Sequence, residues 1–189
     1  RKILKELGFE NPSILINHWF GFVKQGSSAS EKIMIDQRLK KWLFDFVDLG
    51  KAQRSRVIID ESELLNTLSM HITRVKIDRF TGGAVDGALF DERPVFLGKT
   101  CLNLFVEKSQ TGQEDKTFIA LLLLIIRDLC NGLLAVGGET GIGRGIFKLP
   151  KGMDFHSAVS IDGVFLDQAK YEEYQRNLSE MLLIGGGSH

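Results

Sequence analysis

The sequence has few cysteines, few histidines and no charge of one sign to spare, and each shortage excludes something. Two cysteines among 189 residues, Cys101 and Cys130, lie in apolar surroundings and form no C-x-x-C pair, which argues against a disulfide framework and predicts buried, reduced thiols. His18, His71, His156 and His189 are scattered without metal-ligand spacing, so no zinc site is expected. The 24 Lys and Arg balance 24 Asp and Glu to a formal charge of zero. That counts against a free-standing nucleic-acid binder driven by bulk charge, though not against one whose cations gather on one face. The longest apolar run, Phe118 to Ile126, is too short to span a bilayer and is followed at once by Arg127 and Asp128, so it reads as a core helix. No signal peptide, internal repeat or low-complexity tract is visible, and a cytoplasmic protein with no membrane partner is expected.

What remains is ordinary globular composition, 43% hydrophobic and 25% charged, in a length that suits one large domain or a compact pair and is ample for a real core. Arg1 to Leu7 reads as a helix stopped by Gly8, and Asn11-Pro12-Ser13 opens another that turns Ile14, Leu15 and Trp19 inward. Gly26 to Ser30 is a loop and Lys32 to Gln37 a strand, while Trp42 to Val47 fits either strand or helix. Lys51, Arg54 and Arg56 crowd a short basic run whose ordinary reading is a solvated loop, with phosphate contact the lesser alternative. Val57 to Ile59 is a strand and Glu61 to Leu68 a helical turn; Leu97 to Glu107 is a strand and Ser109 to Glu114 a loop. Asp115 is placed as the N-cap of a helix running to about Leu134. Gly145 to Leu149 is a strand, Ala158 to Leu166 is strand-like with a turn at Asp162-Gly163, and Asp167 to Leu183 is an amphipathic helix.

Two stretches look unlike core. In His71 to Phe96, alternation over Ile72–Ile77 puts Arg74 and Lys76 on one face and Val75 and Ile77 on the other. Arg79 and Phe80 then lead into Gly82-Gly83. A cationic strand, an aromatic and a double glycine suit a hairpin laid against phosphates with a ring free to stack; an ordinary solvated hairpin is the plainer alternative. The second stretch, Gly137 to Gly145, holds five glycines in nine residues. A dinucleotide loop would need a strand before it and a helix after it, and a P-loop would need Gly-Lys-Ser/Thr. The order here is helix, loop, strand, so both are set aside.

The segment IDRFTGGAVDGALFDERPVF resembles the central segment of the RAMP superfamily, the proteins that form the backbone of type III CRISPR effectors. Trp19-Phe20-Gly21 with Lys32 to Asp36 is similar to the family's Leu-Phe-Gly and strand-Asp block, and Gly137 to Gly145 to its glycine-rich loop. Arg144 stands between the last two glycines, where the family pattern sets the arginine before them. The resemblance implies an α+β, ferredoxin-like (RRM-like) fold with a protruding β-hairpin thumb. It implies one domain over 1–184 lacking its first strand; the composition of Gly185 to His189 reads separately as a linker or tag remnant. It also implies CRISPR RNA, target RNA and other RAMP-type subunits as partners. By the same resemblance Arg74, Lys76, Arg79, Phe80, Gly137, Gly138, Thr140, Gly143 and Arg144 would contact RNA. Target cleavage in the family uses an aspartate and a divalent metal. Asp86 and Asp91 are the candidates on this chain for holding Mg²⁺, which would make it a metal-dependent endoribonuclease within the assembled complex. A protein-docking hairpin without RNA contact is the remaining alternative.

Overall fold

The computed structural model describes residues 12–21, 32–34, 46–48, 52–109 and 112–185. The helix expected over Arg1–Leu7 and the loop over Gly26–Ser30 lie outside them, as do 35–37, 42–45 and 186–189. The chain divides into two compact units, residues 1–56 with 107–189, and residues 57–106.

In the first unit, α1 (Pro12–Phe20) begins on a proline, whose missing N–H would have no helical acceptor at that position. It ends at Gly21, where φ is +73° and a Cβ would stand 2.5 Å from the carbonyl oxygen of Gln53. Two short strands, β1 (Lys32–Met34) and β2 (Phe46–Asp48), pair antiparallel. The long α2 (Gly112–Cys130) starts earlier and stops earlier than its sequence pattern predicts. Asp115 therefore lies in the first turn and is not the N-cap. Glu114, Phe118 and Leu122 recur every fourth residue, with Thr117, Ala120 and Leu123 beside them, and this stripe is buried. Trp19 stacks on Phe118 at 5.0 Å, and Leu15, Leu166 and Leu178 complete the core.

After α2 come a short α3 (Phe155–Ala158), the hairpin β9 (Ser160–Ile161) and β10 (Val164–Phe165), and α4 (Gln168–Gly185). The hairpin turns at Asp162 and Gly163, both at positive φ, as the sequence predicts. Asp167 caps α4 by accepting from the amide of Lys170. Its side chains meet α2 through Gln113–Asn177 at 2.7 Å and Lys116–Glu173 at 2.8 Å.

The second unit is a two-stranded antiparallel ribbon. Its strands are β3 (Val57–Ile59) with β8 (Leu104–Val106), β4 (Leu68–Ser69) with β7 (Val95–Phe96), and β5 (Ile72–Ile77) with β6 (Ala84–Glu92). A bridge between Leu65 and Lys99 joins them. No helical turn forms over Glu61–Leu68, where Leu65 makes that bridge and Asn66 bends the chain at φ +55°, and only Leu104–Val106 of the strand expected over Leu97–Glu107 forms. Cys101, in that returning segment, is exposed, contrary to expectation; Cys130 is half-buried, and burial raises its thiol pKa. Register is unbroken from Leu65 to Val75. Beyond it, Val85–Ala88 stand opposite Lys76 alone, a bulge with Gly87 at φ +70°.

The architecture is α+β. Among the described residues strands pair only two at a time, so the four-stranded sheet of a ferredoxin-like fold is not assembled from them. Gly145–Leu149, expected as a strand, contributes one bridge, Ile146 to Ala135.

Candidate nucleic-acid interface

No residue of the ribbon belongs to the described hydrophobic core, although it carries many large apolar side chains. Leu89 and Phe90 on β6, Val95 and Phe96 on β7, and Ile77 on β5 are all exposed. A two-stranded ribbon has two faces and two edges and no body of its own to cover them, which is the pattern of a surface built for contact.

The turn Asp78–Gly83 is ordered by its own hydrogen bonds. Oδ1 of Asp78 accepts from the amides of Phe80 at 2.8 Å and Thr81 at 2.9 Å. The Asp78 amide donates to the Gly83 carbonyl, and the Asp78 carbonyl accepts from Gly82. Gly82 takes φ +68°, the left-handed conformation this turn requires. Phe80 is 100% exposed on that turn. Lys76 and Arg79 are exposed and have no acidic partner among the described residues. Arg74 differs: it is half-buried and its Nε lies 3.3 Å from Glu92.

Of the two acids, Asp86 sits in the bulge. Asp91 is already engaged, accepting from the Thr73 hydroxyl at 2.6 Å and lying 3.5 Å from His71 Nε2. Among the described residues no three His, Cys, Asp or Glu side chains gather to hold a cation. Mg²⁺ is commonly held by one or two carboxylates together with substrate phosphates, so Asp86 or Asp91 would need RNA oxygens to complete its shell.

The glycine loop lies in the other unit. Ala135 pairs with Ile146, and the Val136 amide donates to the Gly145 carbonyl at 3.0 Å, closing it. Thr140–Ile142 forms a 3₁₀ turn ended by Gly143 at φ +84°. Gly137 is likewise at positive φ, whereas Gly138 is not, and around both the space is open. Arg144 is paired with Glu139 inside the loop. The loop thus offers backbone amides more than a free cation.

Sequence reasoning overlooked a third cluster. Arg56, read as part of a solvated loop, is buried, and its guanidinium bonds Glu114, Asp115 and the Glu107 carbonyl while lying over the Phe118 ring. His18 and Trp19 supply further donors to Glu114. The available signal was two adjacent acids opening an apolar helix, which require partners once buried.

A model of the RAMP superfamily matches residues 1–148, from the start of the chain through the ribbon and the glycine loop. The chain belongs to the RAMP superfamily. No match was found among curated proteins. Membership implies, in general terms, a CRISPR-associated RNA-binding role in company with CRISPR RNA and effector subunits. The hairpin α3–α4 region, residues 149–185, lies beyond the match. No helix among the described residues is long and apolar enough to cross a membrane.

Proposed function

We propose that this RAMP protein is a backbone subunit of a type III RNA-guided effector, binding guide RNA and lying against the guide–target duplex through its ribbon. The observation that supports this most is Phe80, fully exposed on a hydrogen-bonded turn and preceded by the exposed cations Lys76 and Arg79. An aromatic face can stack on any base, and nearby cations can hold phosphates, giving contact without sequence preference. Base pairing would then supply specificity, as in other RNA-guided systems. The ribbon as a whole has seven Asp and Glu against five Lys and Arg, so bulk attraction is not available to it. Binding must rest on local contacts. Amides of the Gly137–Gly145 loop would add backbone contacts, with Thr140 beside them.

Target cleavage by this chain has less in its favour, since Asp91 is engaged within the ribbon. The chain serves as scaffold in this reading.

Measuring affinity for single-stranded RNA across salt tests it. Lys76→Ala with Arg79→Ala should lower the slope of log K against log[salt] by about 0.7 per lost phosphate contact. Adding Arg74→Ala should change it less, because that guanidinium already has Glu92. An unchanged slope in the double variant would remove the turn from the binding surface.

A further inference from the structure

Asp78 is an oddity on a surface that would meet phosphate. It is the only acid between Arg74 and Val85, and it sits next to Arg79, where a free carboxylate would repel RNA. Its oxygen is not free. Oδ1 takes both the Phe80 and the Thr81 amide, and the Asp78 main chain bonds Gly83 and Gly82. Oγ1 of Thr81 accepts from the Gly83 amide, bracing the same turn from the other side. These bonds are the turn's support, for the Phe80 ring is wholly exposed and no packing fixes it.

We propose that Asp78 is a positioning residue that pre-orders the Phe80 backbone so the ring is presented for stacking on an RNA base; this rests on the RNA-binding reading above. The physical reason is the cost of binding. A ring on a floppy loop loses conformational freedom when it stacks, and that loss is subtracted from the affinity. A carboxylate is the suitable brace, since charge-assisted bonds to amides are stronger than those a neutral oxygen makes. Amides of Thr81 and Phe80 also hold the Asp78 carboxyl below its ordinary pKa, so it stays ionised and acceptor-only.

The test is a double-mutant cycle on the full chain, reading affinity for a single-stranded RNA and the fluorescence of 2-aminopurine placed along it. Phe80→Ala should weaken binding roughly tenfold and lift the quenching of the stacked base. Asp78→Ala should weaken binding several-fold with Phe80 present and leave it unchanged in the Phe80→Ala background. Asp78→Asn, whose side-chain oxygen can accept the same bonds, should recover part of the loss. If Asp78→Ala costs as much without Phe80 as with it, or nothing in either case, the positioning role is overturned. If Phe80→Ala itself changes neither affinity nor fluorescence, the RNA-stacking reading fails first.

Discussion

Glu114 is 3% exposed yet charged, and what allows this is its set of donors: His18, Trp19 and the Arg56 guanidinium. Burial works to raise its pKa, but the His18 bond and the Arg56 charge outweigh it and hold the carboxyl below its ordinary 4.5. A carboxyl depressed on folding contributes stability above its unfolded pKa and loses it as pH falls through the lower folded value. Acid unfolding below about pH 4 should therefore be partly the titration of this group. Glu114→Gln removes one of the guanidinium's two carboxylates, leaving it Asp115 and the Glu107 carbonyl, and should cost about 3 kcal/mol in urea unfolding at pH 7. A change within a few tenths of a kcal/mol would mean the cluster adds nothing to stability. Little of this was legible in the sequence. Trp19 and Leu15 could be placed in the core from their spacing, whereas Arg56 could not, because a basic run looks the same whether its cations face water or a distant pair of acids.

At the scale of elements, the two glycine-bearing stretches were recognisable from composition but their limits were not. The hairpin expected over His71–Phe96 extends to a ribbon over Val57–Val106. Pairing at Leu65 and Leu68 replaces the helical turn that local propensity suggested over Glu61–Leu68, and nothing local announces the bridge from Leu65 to Lys99. In the glycine loop, geometry separates structural glycines from open ones. A Cβ on Gly145 would collide with the Val136 carbonyl oxygen, whereas one on Gly138 meets nothing and violates no φ. Gly145→Val should disrupt the loop closure, seen as faster amide exchange at Val136. Gly138→Val should leave the fold and thermal midpoint unchanged while weakening RNA binding several-fold, because only an approaching backbone would meet the new side chain. Full affinity in Gly138→Val would take that position out of the interface.

For the whole molecule, a chain without net charge gains nothing from bulk attraction to a polyanion and must bind it through local contacts. The zero balance of the composition signalled that limit, and the family match spans both stretches proposed to meet RNA. Among the described residues the apolar core lies on α1, α2, α4 and Leu166, none of which is proposed to meet RNA. The most direct measurement is amide hydrogen exchange of the full chain with and without a single-stranded RNA at low salt. Slowed exchange confined to Asp78–Gly83 and Gly137–Gly145, with α2 and α4 unchanged, is the predicted result. RNA binding that leaves the Asp78–Gly83 amides exchanging at their free rate would contradict it.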